Sequence, residues 1–116
     1  SAEVVEIIKC AADREIPLTF RAGGTSLSGQ AISDSVLVKL SSNWRHIEVG
    51  EDGQLISLQP GVIGDNANRA LQSFGRKIGP DPASIKAAQI GGIAANNASG
   101  MCCGIKNNTY QKILKN

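Results

Sequence analysis

Arg21-Ala22-Gly23-Gly24-Thr25-Ser26-Leu27-Ser28-Gly29-Gln30 brings glycines, hydroxyl side chains and a cation together directly after an apolar run ending at Phe20. Glycine lets a backbone approach a ligand closely. Successive amide N–H groups in a turn form a concavity that favours anions, and Thr and Ser hydroxyls add hydrogen bonds with little bulk. The chemistry on offer is the cradling of a phosphate, and Arg21 can neutralise that phosphate or pair with an acid. An ordinary connecting loop fits the same residues.

A second concentration of small residues runs from Ile90 through Gly91, Gly92, Ala94, Ala95, Asn96, Asn97 and Ala98 to Gly100. It predicts a short helix lying close against another surface, with the paired glycines leaving N–H groups pointing outward as a second anion site. Close helix packing alone is the alternative. Asn96 and Asn97 can offer amides to a ligand or satisfy backbone in the turn at Ser99-Gly100. Just before this stretch, Gly79-Pro80-Asp81-Pro82-Ala83-Ser84 is rigid, because each proline fixes its own φ and restricts the residue before it. Asp81, held between prolines, can orient a ribityl or ribose hydroxyl or cap the following turn.

Other chemistries lack their residues. Gly24 to Gly29 has the glycine spacing of a P-loop, but Gln30 and Ala31 stand where Lys and Ser/Thr would reach phosphate and Mg²⁺. There is no G-x-G-x-x-G for a Rossmann dinucleotide site. His46, the only histidine, has no serine elbow to serve and reads as a surface or hairpin residue. Cys10, Cys102 and Cys103 have no metal-ligand spacing, so no metal is expected. They read as reduced thiols of a cytoplasmic protein, with packing as their role.

The elements that would position these loops follow from periodicity. Val4, Val5, Ile8, Ala11 and Ala12 form one stripe of a helix over 1–15 that Ser1 caps and Pro17 ends. Leu18-Thr19-Phe20 and Val36 to Leu40 are strands in parallel pairing, the second covered on both faces. Trp44 to Val49 and Gln54 to Gln59 flank Gly50-Glu51-Asp52-Gly53, a hairpin turn. Asp65 opens a helix carrying Ala67, Ala70, Leu71 and Phe74 on one face, closed by Gly75. The fold class is therefore α+β: a small α/β subdomain over 1–40, then an antiparallel meander with flanking helices over 41–116.

Composition narrows the partners. The chain has 116 residues, 41% apolar and 19% charged, with a formal net charge of +2. That is an ordinary soluble balance, too long for a peptide and no more than one domain. Lys and Arg are scattered and aromatics are few, so no nucleic-acid surface is expected. No apolar run approaches the roughly 20 residues of a membrane span. The chain begins at Ser1 and stops in an apolar and charged alternation, which reads as a piece of a longer protein. Such a piece is expected to expose apolar surface through which it can self-associate.

Taken in order, Phe20 to Gln30, Gln59-Pro60-Gly61-Val62, Gly79 to Ser84 and Ile90 to Gly104 resemble the flavin-binding domain of the vanillyl-alcohol oxidase or p-cresol methylhydroxylase type. The likeness covers nearly the whole chain and is nearest to the branch of glycolate oxidase and D-lactate dehydrogenase flavoproteins. It implies FAD between two α+β subdomains. Gly23, Gly24, Thr25, Ser26 and Leu27 would wrap the pyrophosphate, while Gly91, Gly92, Asn96, Asn97 and Gly100 would line the second wall. Pro80 and Asp81 would lie near the ribityl and ring end, and Ala22 and Ser84 complete the cofactor-binding set. The reaction implied is oxidation of a 2-hydroxy acid by hydride transfer to flavin, with electrons passing on to a separate acceptor.

The resemblance carries no catalytic residue onto this chain, since the family's substrate cap lies beyond the corresponding segment. No His or Cys matches a covalent flavin link, so dissociable FAD is expected. The parent would be cytoplasmic, with peripheral attachment to a membrane left open. A binding module for a nucleotide or another pyrophosphate ligand, without catalysis, is the competing reading of the same loops.

Overall fold

The computed structural model describes residues 1–40, 42–50, 52–101 and 103–114. Glu51 of the hairpin turn and Cys102 of the cysteine set lie outside the described residues. The element order is α1 (Ala2–Asp13), β1 (Leu18–Arg21), β2 (Val36–Lys39), β3 (Ile47–Val49), β4 (Ile56–Leu58), α2 (Gly64–Leu71), α3 (Ile90–Ala95) and α4 (Thr109–Lys112). This is the α+β arrangement expected.

β1 and β2 pair in parallel, with Leu18 opposite Val36 and Arg21 opposite Lys39. β3 and β4 pair antiparallel, with Ile47 opposite Leu58, so the antiparallel part is a single hairpin. Gly53 turns it at a φ of +67°, and its amide donates to the Gly50 carbonyl at 3.0 Å.

α1 ends two residues earlier than the sequence suggests. Residues preceding proline avoid the α region. Glu15 takes a φ of +52°, and the Ile16 amide returns to the Ala11 carbonyl at 2.9 Å. Ser1 occupies the cap position, but only its carbonyl engages, accepting from Val5 at 3.1 Å; its side chain makes no capping bond.

The core lies in the second half of the chain. Val62, Ala67, Leu71, Ala88 and Ile93 are buried, drawn from α2, α3 and the segments that precede them. Between these helices the backbone is knitted across two loops. Ile90 donates to the Val62 carbonyl and Gly91 to the Pro60 carbonyl, both at 2.8 Å; Gly64 donates to Ala88 and Asp65 to Ile85, both at 3.0 Å. An antiparallel bridge joins Ile63 and Gln89 at the centre. Buried backbone groups are thus paired where no regular sheet is available to pair them.

Two expectations about burial need correction. β2 is not covered on both faces: Val36 and Leu37 are exposed in a sheet of two strands. Of the α1 stripe, Ala11 is buried, while Val5 and Ile8 are exposed. Cys10 does not pack either. It lies about 100° round the helix from Ala11 and is exposed, its Sγ accepting from the Arg14 guanidinium at 3.0 Å. The Cys103 thiol donates to the Gly100 carbonyl at 3.0 Å, and both cysteines are free.

Candidate cofactor cleft

β1 delivers the chain into the glycine loop, and the knitted segment 84–98 forms the opposite wall. Between them is a cleft of about 160 Å³. Ala22, Gly23, Gly24, Thr25 and Ser26 line one side, with Ser84, Gly92 and Asn96 on the other. The two walls touch at their glycines: a Cβ added to Gly92 would stand 3.3 Å from the Ala22 Cβ. Gly23 lies still closer to the far wall. A Cβ there would stand 2.7 Å from the Ala87 carbonyl oxygen and 3.3 Å from the Gln89 amide nitrogen.

Gly24 has a φ of +66°, a region that favours glycine, and the Arg21 guanidinium lies across the space its side chain would fill. Among the described residues Arg21 pairs with no acid. The ion pairs among them are Arg69 with Asp65 and Lys77 with Asp81, and the Arg21 Nε is buried without a partner. Within the loop the Ser26 hydroxyl donates to Gln30, and the Ser28 amide donates to Ser26 Oγ at 3.3 Å. The Ser26 side chain therefore shapes the loop, while Thr25 stands exposed at the rim.

The other residues expected at the site lie off this cleft. Leu27 is fully exposed. Pro80 is buried and does not line the cleft. Gly91 packs on Pro60, where a Cβ would come within 2.9 Å of the proline Cβ. The outward N–H groups expected of this glycine pair are not both available, since the Gly91 amide is taken by the Pro60 carbonyl. Asn97, at a φ of +48°, accepts at its Oδ1 from the Tyr110 amide at 3.1 Å, satisfying backbone in α4 rather than in the turn at Ser99-Gly100. Gly100 packs against the Asp81 carbonyl.

Asp81 does not cap the following turn. Its amide donates to the Ser99 carbonyl at 2.8 Å, and its carboxylate meets Lys77 Nζ at 3.4 Å. The two side chains are 42% and 66% exposed, so solvent screens the pair. Lys77→Ala is expected to change unfolding free energy by less than about 0.5 kcal/mol, a shift that urea denaturation resolves.

Phe20, Gln30, Ala31, Ala88, Gln89 and Ile93 also line the cleft, though none was singled out as cofactor-binding from the sequence. Gln89 is the polar one among them that is held inside the fold, and its Oε1 is buried with no hydrogen-bond partner. No carboxylate, amine or imidazole lines the cleft. The arrangement can bind and orient a ligand but brings no acid or base to it. Among the described residues no group of acids, histidines or cysteines could hold a metal, and no helix is long and apolar enough to cross a membrane.

A glycine-walled cleft that brings two loops together on an α+β frame is the setting of a cofactor-binding domain. The model of the family described as the FAD binding domain matches residues 1–115, and the chain belongs to that family. D-2-hydroxyglutarate dehydrogenase of Pseudomonas putida is 32% identical over 88 residues, covering 75% of this chain and 9% of that protein. Glycolate oxidase subunit GlcD of Bacillus subtilis is 33% identical over 101 residues, 85% of this chain and 22% of that one. D-lactate dehydrogenase of Archaeoglobus fulgidus is 32% identical over 102 residues, 87% and 23% respectively. The chain thus spans less than a quarter of the length of each of these relatives. Among solved structures, alkyldihydroxyacetonephosphate synthase shares the fold over 94% of this chain and 22% of its own, with a TM-score of 0.74 at 20% identity.

FAD is the cofactor of this family, and the cleft fits part of it. Its volume is below the roughly 300–1,000 Å³ of a complete small-molecule site, so it suits a phosphate-sized portion of the dinucleotide. The close approach of Gly23 to the opposite wall, which a Cβ would force apart, and the glycine, hydroxyl and amide lining suit a phosphate-bearing ligand.

Proposed function

We propose that this chain forms the pyrophosphate-binding part of an FAD-dependent enzyme that oxidises a 2-hydroxy acid of the D-2-hydroxyglutarate, glycolate or D-lactate class. The observation that carries this reading is the direct approach of Ala22 and Gly92, which joins two distant glycine clusters into one anion-sized cleft. Gly23, Gly24, Thr25 and Ser26 hold the phosphates on one side, with Ala22 at the junction. Ser84, Gly92 and Asn96 form the opposite wall. Leu27, Pro80, Asp81, Gly91, Asn97 and Gly100 act at one remove, by fixing the loops or by contacting parts of FAD outside this cleft.

FAD, when bound, would supply the acceptor for the hydride, which carries both electrons removed from the substrate, while the hydroxyl proton goes to a base. This chain's own residues bind, orient and exclude water. The acid and base come from elsewhere in the enzyme, in keeping with a cleft that lacks titratable side chains. The same reading divides the chain into subdomains at residues 40 and 41, with dissociable FAD between them. It passes electrons to a separate acceptor, and it makes the exposed apolar residues of α1 and β2 a route to self-association.

The experiment is anaerobic. The full-length protein should be yellow, release its flavin on acid precipitation, and bleach on addition of D-2-hydroxyglutarate, D-lactate or glycolate. Bound flavin that none of these acids reduces would favour a non-catalytic binding module. A protein that takes up no FAD would refute both the cofactor and the reaction.

A further inference from the structure

A second cavity, of about 480 Å³, is lined by Lys39, Ser42 and Arg45. It shares Ala22, Gly23 and Gln89 with the cofactor cleft but none of that cleft's hydroxyl or asparagine residues. At the shared residues Gly23 meets the 87–89 segment so closely that a Cβ would stand 2.7 Å from the Ala87 carbonyl oxygen, and this contact is a seam between the two spaces. The volume lies within the roughly 300–1,000 Å³ of a small-molecule site.

Its charge is one-sided. Lys39 and Arg45 line it, and no carboxylate does. A third cation stands next to them, because the parallel register sets Arg21 opposite Lys39. Like charges opposite one another in a sheet are destabilising. Among the described residues none of the three enters an ion pair, and the Arg21 Nε is buried without a hydrogen-bond partner. Lys39, Ser42 and Arg45 are exposed, so a ligand reaches them from solvent with no movement of the chain.

We propose that Lys39, Ser42 and Arg45 form a second anion site, separate from the cofactor cleft, for a small organic ion carrying two negative charges as carboxylate or phosphate. The planar Arg45 guanidinium can meet two oxygens of such a group side by side, Lys39 adds a point charge and Ser42 a hydroxyl donor. A dianion there also offsets the repulsion between Lys39 and Arg21. The site does not depend on FAD being the ligand of the cleft.

The test is calorimetric titration of the full-length protein, loaded with FAD so that the cleft is filled, with inorganic phosphate and separately with succinate at constant ionic strength. At least one should bind at a single site, phosphate pointing to a phosphate ester and succinate to a dicarboxylate. Lys39→Gln/Arg45→Gln should weaken that binding by about 10- to 100-fold, the loss of hydrogen bonds from charged donors. The double variant should keep wild-type FAD affinity and, with no anion added, melt at the same or a higher temperature, because repelling charges have been removed. No binding of either anion to wild type, or equal binding to both proteins, would overturn the site. So would a lower melting temperature in the variant, which would mean that the cations are already neutralised within the protein. A matching loss of FAD affinity would assign them to the cofactor and overturn it too. If the protein takes up no FAD, the proposed function fails, while the same titration without FAD still decides this site.

Discussion

Gly23→Ala is expected to weaken FAD binding by about 10- to 100-fold, the effect of forcing apart two backbone segments that form the cleft. The added Cβ would stand 2.7 Å from the Ala87 carbonyl oxygen, and a backbone atom cannot swing aside as a side-chain tip can. Relief requires the glycine loop or the 87–89 segment to move. The 87–89 segment is tied down by Ala87 donating to Ser84, Gly64 donating to Ala88 and the bridge between Ile63 and Gln89. The loop is the side that gives, and the approach of Ala22 to Gly92 goes with it.

A control separates this from ordinary glycine chemistry. Gly29 has a φ of +78°, yet an added Cβ would meet nothing within 4 Å. Gly29→Ala should cost about 1 kcal/mol of stability from backbone conformation alone and leave FAD affinity nearly unchanged. Titration of both apoproteins with FAD gives the comparison. Equal losses in the two variants would mean that the close approach at Gly23 does not shape the site.

Periodicity and turn chemistry made the elements legible in the sequence, because both are local. The parallel pair of β1 and β2 and the hairpin turned at Gly53 follow from residue type and spacing, whereas the helix expected to run to Gly75 ends at Leu71, with a 3-10 turn over Gln72–Phe74 before Gly75. What lies over an element is not local. Val36 to Lys39 has the apolar run of a strand covered on both faces, yet its sheet has two strands and exposed residues. The site divides in the same way. Two glycine clusters could be seen to belong together, but not which member of each pair would face the other. A one-residue step round a short helix sends Gly92 toward Ala22 and Gly91 toward Pro60.

Gly100→Ala is expected to destabilise the fold by about 3 kcal/mol or more, from two causes that add. Gly100 has a φ of +81°, where any side chain is strained, and its Cβ would be driven into the Asp81 carbonyl. Moving Asp81 away would stretch the 2.8 Å bond from its amide to the Ser99 carbonyl, which joins the Pro80 to Ser84 loop to the turn after α3. Gly75→Ala isolates the first cause, since Gly75 has a φ of +65° and open space around it, and it should cost only about 1 kcal/mol. Urea unfolding of the two variants measures the difference directly. Equal costs would show that the contact between Gly100 and Asp81 contributes nothing. The expected gap would show that the Pro-Asp-Pro loop is held by the turn that follows the second glycine cluster. Because Ser84 at the end of that loop lines the cleft, the same substitution should also lower FAD affinity, and Gly75→Ala should not.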